Sequence, residues 1–96
     1  MDNHVALTAC IAEAQPLRYT PAGLPAIDLR LEHGSRQMDA GQARDVKLAI
    51  KAMAFGTLAE RLARQNLGSC FRFQGFLAMS RNGKSVVLHI QDIQQD

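Results

Sequence analysis

From Ala26 to His33 the chain alternates without a break: Ile27, Leu29 and Leu31 point one way, and Asp28, Arg30 and Glu32 the other. A period of two sends successive side chains to opposite faces, so this reads as a strand with one face in a core and one in water. It runs on toward Gln37. A loop of turn residues, Arg18-Tyr19-Thr20-Pro21-Ala22-Gly23-Leu24-Pro25, leads into it. Pro21 presets a turn, Gly23 supplies a permissive position, and Pro25 stands where its missing N–H breaks no ladder. Ahead of the loop, Val5 to Glu13 alternates Val5, Leu7, Ala9 and Ile11 against Ala6, Thr8, Cys10 and Ala12. The second set is small and weakly polar, which suits a strand covered on both faces.

Met38-Asp39-Ala40-Gly41-Gln42 reads as a hairpin tip, and a third strand follows with Val46, Leu48 and Ile50 on one face. Asp45, Lys47, Ala49 and Lys51 take the other face, while Arg44 lies close to the tip and turns to solvent. The period then lengthens. Thr57-Leu58-Ala59-Glu60 has the form of a capping box, and Leu58, Ala59, Leu62 and Ala63 make a helical stripe that Gly68 is placed to end. A fourth strand runs from Ser69 to Ser80, with Gly75 marking a bulge or bend. The Asn82-Gly83 pair turns the chain into a fifth strand, Ser85 to Ile93.

Three strands, one short helix and a hairpin predict an all-β fold: a five-stranded OB-fold Greek-key barrel with one short helix between strands 3 and 4. A length of 96 residues predicts a single OB-fold domain over 1–96. The core must rest on Leu, Ile, Val and Ala, because the aromatics are only Tyr19, Phe55, Phe71, Phe73 and Phe76. Phe55 is expected to plug one end of the barrel, and the three Phe of the fourth strand to serve core or interface.

Charge narrows the function without fixing it. Lys and Arg number 11 against 9 Asp and Glu, a net charge of +2, which permits nucleic-acid binding but does not demand it. Each long apolar stretch is broken by charge or Gly, and the start Met1-Asp2-Asn3-His4 lacks a signal-peptide pattern, so no membrane association and a cytoplasmic location are expected. Cys10 and Cys70 fit neither a disulfide framework nor a metal motif and read as reduced, small apolar strand residues.

Basic residues carry the chemistry that remains. On an OB-fold, Arg18 in the first loop, Arg30, Arg44, Lys47 and Lys51 on strands 2 and 3, and Arg81 and Lys84 beside the last turn face one groove, where they would neutralise phosphates. The plainer reading is a solvated outer face. Asp28, Glu32 and Asp45 blunt the field. Tyr19 is the best candidate for stacking on a base. His4, His33 and His89 show no ligand spacing, no residue sits in a nucleophile motif, and the carboxylates are scattered, so an enzyme, a metal or a cofactor has no support here.

Several of these segments resemble the primosomal replication protein N (PriB) family, which is similar in fold to single-stranded-DNA-binding proteins. They are Arg18-Tyr19-Thr20-Pro21-Ala22-Gly23-Leu24-Pro25, Leu31-Glu32-His33, Gln74-Gly75-Phe76-Leu77 and Val87-Leu88-His89-Ile90-Gln91-Asp92-Ile93. The resemblance implies a homodimer paired through strand 1, single-stranded-DNA binding, and partnership with the PriA helicase in replication restart. It carries DNA contact onto Arg18, Lys47, Arg81 and Lys84. Lys47 stands where better-known relatives have an aromatic, and the last loop is shorter and less basic than theirs. The expectation is therefore electrostatic binding of weak to moderate strength with little stacking. Two other readings stay open: a helicase-docking adaptor with weak DNA binding, and an RNA-binding OB module.

Overall fold

The structure, a computed structural model, describes residues 1–95. The strands are β1 (Val5–Ala14), β2 (Arg18–Tyr19), β3 (Pro25–Asp39), β4 (Gln42–Phe55), β5 (Cys70–Met79) and β6 (Val86–Gln95), with the helix α1 (Thr57–Ala63) between β4 and β5. Strands 2 to 5 of the sequence reading thus correspond to β3, β4, β5 and β6. The two-residue β2 lies inside the segment read as a loop, where Arg18 and Tyr19 pair with Ala26 and Pro25. Thr20 to Gly23 close the expected turn, with the Gly23 N–H donating to the Thr20 carbonyl at 2.8 Å.

The sheet runs β1-β5-β6-β4-β3-β2, and a further β1–β3 pairing closes its five long strands into a barrel, consistent with an OB-fold. β1 makes the closure by changing partner. Val5 to Cys10 pair with β5, and Cys10 to Ala14 pair with β3 across an irregularity between Ile11 and Glu13. β4 and β6 are parallel, and the other pairs are antiparallel. Phe73, Ile11, Ile27, Leu31, Leu62 and Leu88 are the largest fully buried side chains, and Ala59 and Leu62 bring α1 into the same core.

Gly75 stands at the bulge its position foretold, where the β5–β6 register shifts between Gln74 and Gly75. A Cβ there would overlap the His89 carbonyl, so only glycine lets the two strands approach this closely. Beyond the barrel, β3 and β4 continue as a long arm paired out to Asp39 and Gln42. Ala40 and Gly41 turn its tip with positive φ values of 51° and 77°. The arm helps stretch the molecule to 50 × 31 × 21 Å.

Four expectations are corrected. Thr57 forms no capping box: it is the first helical residue, and Gly56 occupies the N-cap at φ 72° without a side-chain cap. The sharp exit from β4 needs that positive φ, which glycine meets at no steric cost. Gly68 does have a left-handed φ of 90°, but α1 ends at Ala63, and Gly68 instead donates its N–H to the Ile11 carbonyl. Cys10 and Cys70 are not reduced apolar residues. They face each other in the β1–β5 register and form a disulfide. Finally, Phe55 does not plug the barrel: it shares the outward face of Lys51 and Met53 and is 39% exposed.

Candidate nucleic-acid interface

Alternation on β3 and β4 decides which side chains leave the core. Ile27, Leu29, Leu31, Ala52 and Ala54 turn inward and are buried. Their neighbours Asp28, Arg30, Lys51, Met53 and Phe55 therefore share the outer face, with Asp28 opposite Met53 and Arg30 opposite Lys51. β6 continues this face, because Lys51 pairs with Val87 and Met53 with His89. The loop before β3 and the β5–β6 turn wall it in. Together they enclose a groove of about 910 Å³.

Four cations line that groove, Arg18, Arg30, Lys51 and Arg81, against two carboxylates, Glu13 and Asp28. Arg18 Nε donates to Asp28 Oδ2 at 2.8 Å and a terminal nitrogen to Oδ1 at 3.3 Å. Hydrogen bonding to that carboxylate raises the guanidinium pKa further. Arg30 is held between Glu13 and Glu32, each at 3.5 Å. Lys51 and Arg81 have no ion pair among the described residues, so they are the cations with charge to spare. The floor between them is apolar: Met53, Phe55, Met79 and Val87, with the His89 imidazole.

The other residues singled out in the sequence lie elsewhere. Lys47 lines a shallower hollow of about 520 Å³ with Cys10, Glu32, His33 and Leu48. Arg44 sits far out on the arm, paired with Asp39 at 3.1 Å. Tyr19 is 63% exposed but does not line the groove. Lys84 is exposed in the last turn, and its backbone N–H donates to Asn82 Oδ1 at 3.0 Å. His33 spends its ring within the chain, with Nδ1 at 2.6 Å from the Thr8 carbonyl and Nε2 at 2.8 Å from Ser35 Oγ.

Sequence reasoning missed the aromatic side of this face. Phe76 lies opposite His89 on the outer surface, with ring centroids 4.8 Å apart and planes 17° from parallel. Phe55 stands on the other side of His89 at 6.3 Å. The signal was present: Phe71, Phe73 and Gly75 alternate inward, which sends Phe76 out.

A small closed barrel with a cationic groove floored by apolar and aromatic side chains is the build of OB-fold proteins that hold single strands. The family described as "another single-strand binding protein family" matches residues 3–92. Replication restart protein PriB of Bordetella pertussis is 46% identical over 90 residues, spanning 93% of this chain and 84% of that protein. Its counterpart from Neisseria gonorrhoeae is 43% identical over 94 residues, spanning 97% and 93%. The solved structure of PriB from Ralstonia solanacearum superposes with a TM-score of 0.90 at 35% identity, covering 99% of this chain and 98% of that one. The chain belongs to the single-strand binding protein family, among its replication restart PriB members.

Proposed function

We propose that this protein is a non-enzymatic, single-stranded-DNA-binding accessory factor of replication restart that grips the DNA backbone electrostatically and stimulates the PriA helicase. The observation that carries the DNA reading is the groove itself, where Lys51 and Arg81 stand unpaired beside the tethered Arg18 and Arg30. Each phosphate neutralised releases counterions, so binding weakens as salt rises. Lys47 and Lys84 extend the path along the arm and the last turn.

A homodimer paired through β1 belongs to the same reading. Ile11 directs its N–H to Ser69 and its carbonyl to Gly68, on the β5 side. By alternation Ala6 directs both of its groups, and Thr8 its N–H, to the opposite edge, where β3 no longer follows, while the Thr8 carbonyl is already met by His33. Such an edge favours pairing with a second copy.

The test is to replace Lys51 and Arg81 by Ala, alone and with Lys47 and Lys84. Affinity for oligo-dT should fall, and the slope of log affinity against log salt should drop by about 0.7 for each phosphate that is no longer neutralised. An unchanged slope in the fourfold variant would remove the groove from the DNA path. One observation favours the helicase-docking alternative: two of the four groove cations are already answered by carboxylates. Full stimulation of PriA unwinding by a variant that no longer binds DNA would establish that reading instead.

A further inference from the structure

Ala9 and Ile11 on β1 and Phe71 and Phe73 on β5 turn inward and are buried. By alternation Cys10 and Cys70 face out, so their bridge lies on the outside of the barrel and fills no gap in the core. Cys70 is exposed and Cys10 half-buried. Exposed bridges are the ones that thiols reach and reduce. This one also stands at the corner that closes the barrel, because Cys10 pairs with Cys70 on β5 and with Glu32 on β3. A second copy paired on the β1 edge would lie in the plane of the sheet and leave this outer face open.

The two sulfurs are not equivalent. Cys70 opens to solvent, and Arg72, two residues on, is exposed on the same face of β5. A guanidinium there attracts an incoming thiolate that carries further negative charge. Cys10 lines the hollow of about 520 Å³ that also holds Lys47. A thiolate left on Cys10 is stabilised by that ammonium. Glu32, opposite Cys10, works against this, but its own carboxylate is answered by Arg30 at 3.5 Å. Once reduced, the Cys70 S–H has an acceptor at hand, the Gly68 carbonyl oxygen 3.3 Å from its Sγ.

We infer that the Cys10–Cys70 bridge is a reversible modification site, opened by thiol–disulfide exchange with a small anionic thiol that attacks Cys70. This goes beyond DNA binding and does not depend on it. The incoming thiolate attacks Cys70 Sγ, a bond forms between those two sulfurs, and the Cys10–Cys70 bond breaks. Its electron pair leaves on Cys10 Sγ, which takes up a proton from solvent. A second thiolate attacks the small-thiol sulfur of the mixed disulfide, the small-molecule disulfide departs, and Cys70 Sγ takes up a proton. Two thiols are thereby oxidised to one disulfide, and the bridge is reduced to two thiols. Opening it releases the clasp between β1 and β5, so the surrounding thiol balance is read out at the barrel's closing corner.

The experiment treats the folded, bridged chain with reduced glutathione at low salt, quenches with acid, and maps the products by peptide mass spectrometry. A mixed disulfide on Cys70 should appear first and give way to two free thiols. Cys10→Ser, which leaves Cys70 alone, should gain an adduct from oxidised glutathione, and Cys70→Ser should lag behind it. Arg72→Ala should slow reduced glutathione about three-fold, the effect of one charge about 7 Å away in water. The same variant should leave the rate with cysteamine, whose thiolate has no net charge, nearly unchanged.

A bridge that stays closed in glutathione until urea unfolds the chain would overturn the site. So would a first adduct on Cys10 rather than Cys70, or failure of the reduced chain to close the bridge in oxidised glutathione. Equal glutathione rates in Arg72→Ala and wild type would overturn the choice of an anionic thiol.

Discussion

At the scale of single residues, the sequence pattern decides more than residue type does. Phe55 and Phe76 are apolar, and apolarity alone sends them to the core. Parity sends them out, because Ala52 and Ala54 on β4 and Phe73 and Gly75 on β5 hold the inward positions. Gly75 is the most constrained of these. Any side chain there meets the backbone of β6 rather than a yielding side chain. Gly75→Ala is expected to cost at least about 2 kcal/mol, read as a lower midpoint in urea unfolding. Phe73→Ala, at a fully buried site, is expected to cost about 3–5 kcal/mol by the same measurement. Arg44→Ala should change stability by less than about 1 kcal/mol, since its pair with Asp39 is exposed.

At the scale of elements, the barrel's order was legible because each strand carries a period of two and each turn its own residues. Thr20 to Gly23, Gly75 and Asn82-Gly83 all mark changes of direction that the structure contains. What escaped the sequence depends on contacts between distant segments. Cys10 and Cys70 are 60 residues apart, and only the β1–β5 register places them face to face. The helix start escaped for a local reason: Thr57 has the right chemistry for a cap, but the tight exit from β4 requires the backbone freedom of Gly56 one residue earlier. The bridge ties β1 to β5 at the point where β1 turns to β3. Reduction is therefore expected to lower stability by about 2–4 kcal/mol, visible as a fall in melting temperature on adding a thiol reductant. An unchanged melting temperature would mean the bridge contributes nothing to holding β1.

At the scale of the whole molecule, net charge is a poor guide and its placement a good one. The +2 of the full chain is mild. Several cations lie in local pairs, Arg36 with Asp45 and Arg44 with Asp39 on the arm, and Arg18 with Asp28 in the groove. Of the cations that line the groove, Lys51 and Arg81 are left outside any ion pair, beside an apolar floor. The candidate site was therefore half legible. The sequence named the cations, but it could not separate those in the groove from Arg44 and Lys47, because the arm carries β3 and β4 well past the barrel. Pairing through the open edge of β1 predicts a species of twice the 10.5 kDa chain mass in sedimentation equilibrium. Thr8→Pro, which removes a donor on that edge, should shift it toward the single chain.

The central claim is that the groove holds single-stranded DNA by its phosphates. Fluorescence anisotropy of a labelled oligo-dT, titrated at low and at physiological salt beside a duplex of equal length, tests it most directly. Preference for the single strand, with affinity falling steeply as salt rises, is the expected result. Equal binding to the duplex, or binding indifferent to salt, would contradict it.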